Sequence, residues 1–237
     1  MKNLKTLTIG LSLAMLVSCS TNTGTGSLLG AGGGAVLGGV LGAVIGKDAK
    51  GAAIGAAIGG AVGAGTGALI GKHMDNVKAK AAAELENAKV EEVTDANGLK
   101  AVKVTFDSGL LFATGSAVLA NKSKADLNDF ANMLINDIDL AVDVQGYTDN
   151  QGWKNSTAAQ SAQKNLDLSQ KRAESVKNYL TAQGVSSSQF NNVTGYGEAN
   201  PVADNSTAAG KQENRRVEIY LYASEKMIEK ANNGELN

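Results

Sequence analysis

The chain has 237 residues, a net charge of -1, and only one cysteine and one histidine. The near-neutral charge argues against an electrostatic nucleic-acid binder, which needs a basic patch. The single cysteine excludes an internal disulfide, and one histidine beside one cysteine cannot make a His/Cys metal cluster. The composition therefore predicts no nucleic-acid partner, no metal and no other cofactor.

The first twenty residues have the pattern of an export signal. Lys2 and Lys5 precede an apolar run over residues 6–17, which is shorter than the roughly 20 residues that span a bilayer. The run ends in Leu16-Val17-Ser18-Cys19, which resembles the lipobox of bacterial lipoproteins. An ordinary signal peptide with a chance cysteine is the alternative.

The lipobox resemblance implies that residues 1–18 are a signal peptide, that Cys19 is lipidated, and that residues 19–26 form a tether. More than one acyl chain gives stable membrane anchoring. Ser20, rather than an acidic residue, follows the cysteine, which favours the outer membrane. We therefore expect an anchor in outer-membrane lipid, with the C-terminal domain in the periplasm.

Glycine recurs at every fourth residue over residues 30–46 and again over 51–71, with a charged break at 47–50. Each half is about 20 residues, or about 30 Å as a helix. A spacing of four places the glycines on one stripe, where another backbone can approach closely. We interpret residues 27–71 as a glycine-zipper helical hairpin in the membrane, able to form a homo-oligomer. A flexible Gly/Ala spacer is the alternative.

Residues 72–88 are rich in Ala, Lys and Glu, and by propensity they predict a helical linker. Its weak apolar stripe consists of Met74, Val77, Ala81, Leu85 and Ala88. From residue 89 the pattern becomes globular.

The globular region alternates strand and helix patterns. Residues 89–106 predict a hairpin with its turn at 95–98, and residues 122–137 an amphipathic helix. Val142 and Val144 alternate with Asp143 and Gln145 in a strand that ends at Tyr147. A polar stretch over 150–164, a helix over 165–184, and strands over 191–197 and 215–222 follow. We predict an α+β fold over residues 89–223, a two-layer α/β sandwich whose mixed sheet has helices on one face, and a tail over 224–237.

Three stretches carry a resemblance: VQGYTDNQG (144–152), NLDLSQKRAESVKNYLTAQGV (165–185) and GYGEANPVADNSTAAGKQENRRVEI (195–219). In this order they resemble the OmpA C-terminal peptidoglycan-binding family over about residues 100–222. Two departures are visible. The stretch from Asp149 to Asn165 is about eight residues longer than the usual family loop. Ala113 replaces the Asp of the family's F-D-x-x-S pattern.

The resemblance implies peptidoglycan as the ligand. The free end of its diaminopimelate residue carries an ammonium beside a carboxylate. Asp149, on a turn after a strand, suits the ammonium, and Arg172 suits the carboxylate because its guanidinium can bind it bidentately. Asn165 lies two helical turns from Arg172 on the same helix face.

In the family, the residues corresponding to Asp149 and Arg172 contact diaminopimelate, and those corresponding to Asn165 and Arg215 line the site. Arg216 should point to the opposite side of its strand from Arg215. The alternative is a structural one: Asp149 as a turn residue and Arg172 as a helix cap or the partner of a local acid.

Three classes of function follow from these patterns. The leading one is a non-catalytic lipoprotein that tethers the outer membrane to the diaminopimelate of peptidoglycan stem peptides. The second is an enzyme such as a peptidoglycan hydrolase, for which the sequence offers no nucleophile paired with a base. The third is a zipper-mediated, self-assembling membrane element with the C-terminal domain as a wall-docking passenger.

Overall fold

The structure is a computed structural model, and it describes residues 62–95 and 97–236. The signal segment, Cys19, the tether and most of the glycine-spaced segment lie outside the described residues, so the predictions about them stay predictions. Within the described part of the chain, no helix combines the length and apolar character needed to cross a membrane.

Helices and strands alternate along the described chain. The helices are α1 (Ala64–Glu84), α2 (Ser108–Leu111), α3 (Lys124–Ile135), α4 (Ala158–Ala182), α5 (Ala208–Asn214) and α6 (Glu225–Asn232). The strands are β1 (Ala88–Thr94), β2 (Lys100–Asp107), β3 (Leu140–Gly146), β4 (Phe190–Gly195) and β5 (Arg216–Ala223). Short 3₁₀ helices at Asn121–Ser123 and Ser187–Gln189 precede α3 and β4.

The strands form one mixed sheet in the order β1-β2-β5-β3-β4. Only β3 and β4 pair in parallel, and the other neighbours are antiparallel. On one face, Val104, Ile219 and Val144 lie in register across three strands and join the apolar core formed with the helices. The predicted α+β sandwich is confirmed.

The other face of β3 is buried as well, although the alternation of polar and apolar residues is typical of a half-buried strand. Asp143 and Gln145 are buried together with the two valines between which they alternate. The Asp143 carboxylate accepts hydrogen bonds from the side chains of Asn192 and Tyr222, which meets the requirement that a buried polar group be hydrogen-bonded. Burial nevertheless raises the pKa of Asp143 to about 6.

Helix α1 joins the glycine-spaced segment to the sheet without a break at residues 71–72. Its buried stripe includes Ile70, Met74, Val77 and Ala81, and all four belong to the main core cluster. Residues 72–84 of the predicted linker, and the last eight of the predicted zipper, therefore form one helix that is packed into the domain, whereas Ala88 at the end of the predicted linker begins β1. Of the predicted apolar stripe, Met74, Val77 and Ala81 lie on this helix and are buried, Leu85 is buried just beyond its end, and Ala88 belongs to β1. The buried stripe of the helix starts one turn earlier, at Ile70.

The residues predicted to be a tail form helix α6, which packs against α1. Ser224 caps the helix by accepting a hydrogen bond from Met227 N, and Met227, Ile228 and Ala231 are buried. Thr66 Oγ1 donates to Asn232 Oδ1 at 2.7 Å and ties the two helices together. The tail prediction overlooked this spacing of apolar residues, which is typical of a short amphipathic helix.

His73, on α1, binds the domain through Asp137, which follows α3. Its Nε2 lies 2.7 Å from Asp137 Oδ2. This hydrogen bond raises the pKa of His73 above its ordinary value, with burial opposing and the charges of Asp137 and Asp139 adding to the rise. A raised histidine pKa stabilises the fold at low pH, and this contribution is lost as the pH rises from the unfolded pKa, about 6.5, through the folded pKa.

We therefore expect His73→Gln to flatten part of the pH dependence of stability. Wild type should lose stability relative to His73→Gln as the pH rises from 6 towards 8.5. Urea unfolding of both proteins across this pH range measures the difference between their free energies of unfolding. The contributions of the other titrating groups cancel in this difference. A constant difference between the two proteins would contradict the assigned pair.

Candidate functional site

Helix α4 begins seven residues earlier than predicted, at Ala158. Thr157 Oγ1 accepts from Gln160 N, and Gln160 Oε1 accepts from Thr157 N at 2.9 Å. This capping box fixes the start of the helix. Its T-x-x-Q spacing can be recognised in the sequence. The polar stretch thus divides into a loop up to Thr157, which includes Asn155 with a positive φ of 55°, and the first two turns of α4.

Two glycines place α4 directly on the sheet. Gly146 and Gly195 are neighbours in the parallel strands β3 and β4. A Cβ on Gly146 would lie 2.2 Å from the main-chain oxygen of Ser169, and one on Gly195 would lie 2.2 Å from the main-chain nitrogen of Gln170. Only glycine allows this approach, so these positions fix α4 relative to the end of β3.

A cavity of about 500 Å³ opens where α4 passes the end of β3. Asp149, Asn165, Arg172 and Arg215 all line this cavity. The remaining lining residues are Ser108, Gly109, Phe112, Thr114, Gly115, Thr148, Gln151, Gly152, Trp153, Lys154 and Leu168. The four residues singled out from the sequence thus meet in one place, although they span 67 positions of the chain.

Asp149 is buried at the cavity wall and is bound at both carboxylate oxygens. Its Oδ1 accepts from the main-chain nitrogen of Gln151 at 3.0 Å, which is the local turn bond expected of an aspartate. Its Oδ2 accepts from Arg215 Nη1 at 2.5 Å. Asp149 therefore forms an ion pair as well as a turn, and its partner is Arg215.

Arg172 is buried beneath the turn that follows α2. Its Nε donates to the main-chain oxygen of Ser116 at 3.0 Å, and its Nη2 to that of Ala113 at 3.5 Å. The guanidinium also lies 5.2 Å from the ring centre of Phe112. Since a guanidinium has five N–H donors, these two bonds leave donors for a ligand while they hold the turn in place.

The surroundings of Arg172 lower the pKa of its guanidinium but leave the group positively charged. Burial lowers the pKa of Arg172 to about 10, and the positive charge of Arg215 adds to this lowering, while Asp149 opposes it. The group stays cationic at neutral pH. A buried cation with an incomplete set of partners favours an anionic ligand, because the interaction is strong where water is excluded.

Asn165 connects α4 to the loop in front of it. Its Nδ2 donates to the main-chain oxygen of Gln151 at 3.2 Å, and its Oδ1 accepts from Trp153 Nε1 at 2.7 Å. Asn165 is a predicted site residue, whereas Trp153, the only tryptophan of the chain, is not among the predicted ones. That a single tryptophan falls in the lengthened loop was the available signal.

The neighbouring arginines Arg215 and Arg216 have different surroundings. Arg215 lines the cavity and binds Asp149, and its side chain is 33% exposed. The Arg216 side chain is 6% exposed and donates to Glu218 Oε1 at 2.8 Å. These different surroundings agree with the expectation that the two side chains point to opposite sides of the strand.

Two further hydroxyl groups belong to the cavity wall. Ser108 and Thr148 line the cavity, and neither buried hydroxyl has a hydrogen-bond partner. Unsatisfied buried polar groups are uncommon in folded proteins, and they occur here beside the charged residues. The sequence alone does not single out these two residues, because what distinguishes them is a missing hydrogen-bond partner in the folded structure.

Comparison with known sequences assigns two segments of the chain. The OmpA family matches residues 111–215, and the YMGG-like Gly-zipper family matches residues 1–75. Within residues 62–95 and 97–236, no group of three or more His, Cys, Asp or Glu side chains is placed to hold a metal ion.

Individual proteins are similar over the same region. The probable lipoprotein YiaD of Escherichia coli K12 is 36% identical over 152 residues, which cover 64% of this chain and 64% of YiaD. The peptidoglycan-binding protein ArfA of Mycobacterium tuberculosis H37Rv is 31% identical over 63% of this chain and 48% of ArfA. The chain thus covers less than two thirds of the length of either relative.

The fold is also similar to a solved structure. A putative MotB-like protein from Desulfovibrio vulgaris superposes with a TM-score of 0.52 at 22% identity, over 67% of this chain and 96% of that one. The sheet and helices of this domain therefore follow a known fold. Residues 111–215 of this chain match the OmpA family and its first 75 residues match the YMGG-like Gly-zipper family, so the chain combines an OmpA-like domain with a Gly-zipper segment.

Proposed function

We propose that this chain is a non-catalytic lipoprotein of the outer membrane that binds the diaminopimelate of peptidoglycan stem peptides. The observation that carries the proposal is the meeting of one carboxylate and two guanidinium groups, Asp149, Arg172 and Arg215, at one cavity. The similarity to a peptidoglycan-binding protein and to a probable lipoprotein supports it.

The charges of the cavity suit a zwitterionic ligand end. A carboxylate has two oxygens with about four acceptor positions, so Asp149 can accept from a ligand ammonium while it holds Gln151 and Arg215. The donors of Arg172 that the turn does not use can bind the adjacent carboxylate. Phe112 and Leu168, also on the wall, supply apolar surface for the hydrocarbon chain between the two polar ends.

The lining of the cavity supports binding rather than catalysis. It contains no histidine and no cysteine, and His73 is bound to Asp137. Asp149, the one carboxylate among the described lining residues, is paired with Arg215 and not with the second carboxylate that glycoside hydrolysis uses.

The proposed anchor lies outside the described residues. Lipidation at Cys19 would hold the chain in the outer membrane, with the OmpA-family domain in the periplasm within reach of the wall. The match of residues 1–75 to a Gly-zipper family favours a second, compatible role, in which zipper segments of several chains associate in the membrane. Chemical crosslinking of the full-length protein in lipid vesicles, which should yield oligomers, tests that role.

Asp149→Asn should abolish most binding to the wall. It keeps the size of the side chain and its ability to form the turn, but it removes the negative charge that attracts the ammonium. A charged hydrogen bond contributes roughly 1.5–3 kcal/mol, so affinity should fall about ten- to a hundredfold. Co-sedimentation of the full-length protein, in detergent, with purified diaminopimelate-containing sacculi measures this.

The matched control is Asp167→Asn, an identical change on the exposed side of α4, where Asp167 accepts a bond from Gln163. It should bind as wild type does. Sacculi with lysine in place of diaminopimelate should bind wild type weakly, because lysine lacks the second carboxylate. A folded Asp149→Asn protein that sediments like wild type would overturn the proposal.

A further inference from the structure

The cavity carries more positive charge than one zwitterionic end requires. Its lining includes three cationic residues, Lys154, Arg172 and Arg215, and one anionic residue, Asp149. The free end of a diamino acid is neutral overall, with one ammonium and one carboxylate. Because binding surfaces are complementary in charge to their ligands, the excess indicates a ligand with at least one more anionic group.

The loop before α4 is built into the cavity wall rather than lying free at the surface. The main-chain nitrogen of Trp153 donates to Ser161 Oγ at 3.0 Å, and the indole nitrogen donates to Asn165 Oδ1 at 2.7 Å. Both partners lie on α4. On its other side the ring reaches the turn after α2, where a Cβ on Gly115 would be 3.8 Å from Trp153 Cη2.

Trp153 therefore bridges two walls of the cavity, and its position is fixed at the backbone and at the ring. Side chains held in this way lose little freedom on binding, which favours affinity and specificity. The loop thereby places the next residue, Lys154, at the cavity as well.

Lys154 brings a charge that the protein itself does not neutralise. Within residues 62–95 and 97–236, its ammonium forms no hydrogen bond or ion pair, and only its main-chain oxygen is bonded, by Ser156 Oγ at 3.4 Å. Lys164 is different, because its ammonium donates to Ser156 Oγ at 2.9 Å and lies 5.9 Å from the Trp153 ring centre. Only the first of these two lysines lines the cavity.

We infer that Trp153 and Lys154 form a second subsite, which binds a carboxylate on a residue attached to the diamino acid. Lys154 pairs with that carboxylate, and Trp153 packs against the aliphatic part of the same residue. The inference rests on the proposed function and extends it. A stem tetrapeptide offers two such groups, the terminal carboxylate of D-alanine and the α-carboxylate of the γ-linked D-glutamate. The short apolar side chain of D-alanine matches a tryptophan beside a lysine better.

Three soluble tetrapeptides test the subsite: one with all carboxylates free, one amidated at D-alanine, and one amidated at D-glutamate. Calorimetric titration into full-length protein in detergent gives each Kd. For wild type, amidation at D-alanine should weaken binding about two- to fivefold, the value of a partly exposed ion pair, and amidation at D-glutamate should have little effect. Adding salt should reduce the preference.

Lys154→Gln should bind the free peptide and the D-alanine amide equally, whereas the control Lys164→Gln should keep the wild-type preference. Trp153→Ala should lose the preference too, because the loop loses the hydrogen bond and the packing that the indole provides. Discrimination only at D-glutamate would move the carboxylate source to that residue and overturn the D-alanine assignment. Wild type that ignores both amides, or Lys154→Gln that still discriminates, would overturn the subsite. Wild type that binds none of the three peptides would instead refute the proposed function.

Discussion

Ile70→Ala should lower the free energy of unfolding of the OmpA-family domain by about 2–5 kcal/mol, the usual cost of truncating a buried isoleucine. The side chain of Ile70 has 0% of its surface exposed and belongs to the main core cluster. It lies on α1, in the glycine-spaced segment, before the domain suggested by the sequence pattern. Urea unfolding followed by circular dichroism measures the change.

The preceding residue provides a matched control. Leu69 is 37% exposed on the same helix, so Leu69→Ala removes a similar side chain from a site that is partly in water. Its cost should be about 1 kcal/mol or less. Equal and small effects at both positions would show that α1 is a detachable linker. Equal and large effects would show that the helix packs in another rotation.

The packing of α1 also bears on how the domain is isolated. A fragment that starts at residue 89 removes Ile70, Met74, Val77 and Ala81 from the core and exposes the surface that they cover. We expect such a fragment to be less stable than one that starts at residue 62. Binding experiments therefore use the full-length chain.

The sequence predicted the globular fold well because its signals are local. The hairpin over β1 and β2, the apolar face of α3, and the strand before Asp149 can each be recognised from alternation or helical periodicity. The start of α1 was missed because the glycine repeat gives the same segment a second periodicity, in which Ile70 reads as a filler. Nothing local distinguishes a helix packed on its own domain from one packed on a neighbouring copy.

The burial of Asp143 and Gln145 shows a second limit. Alternation of polar and apolar residues predicts one exposed face, but here the polar face is also buried and satisfied by Asn192, Tyr147 and Tyr222. Tyr147 is a near neighbour of Gln145, but Asn192 and Tyr222 lie 49 and 79 positions from Asp143. A single sequence does not specify which distant side chains pair.

The resemblance predicted which residues of the candidate site lie together, but not the contacts that they make. The resemblance to the OmpA family brought Asp149, Asn165, Arg172 and Arg215 together, and all four line one cavity. The pairing of Asp149 with Arg215 and the bonds of Arg172 to the turn after α2 depend on side-chain rotamers across long sequence separations. One consequence is practical: Arg172→Lys would disturb that turn as well as ligand binding, so it is a poor test of the site.

Arg215 and Arg216 offer a cleaner test, because two adjacent arginines should have opposite roles. Arg216→Gln should cost about 3–5 kcal/mol of stability, the usual effect of breaking a buried ion pair. It would leave Glu218 buried without its charged partner and would remove the bond to the main-chain oxygen of Asn200 and the stacking 3.8 Å from the Tyr147 ring. Denaturant titration measures this loss.

Arg215→Gln should instead change stability by about 1 kcal/mol or less, because the Arg215 side chain is 33% exposed and Asp149, although buried, borders the cavity. Its effect should be on binding. Without Arg215 the cavity loses one of its cations and the group that orients the Asp149 carboxylate, so affinity for sacculi should fall about ten- to a hundredfold. Binding must be compared under conditions in which Arg216→Gln is still folded. Under these conditions we expect the affinity of Arg216→Gln for sacculi to stay near that of wild type. If Arg215→Gln binds the wall normally, or if both variants lose stability alike, then the charge at the cavity is structural and Asp149 binds no ligand through this arrangement.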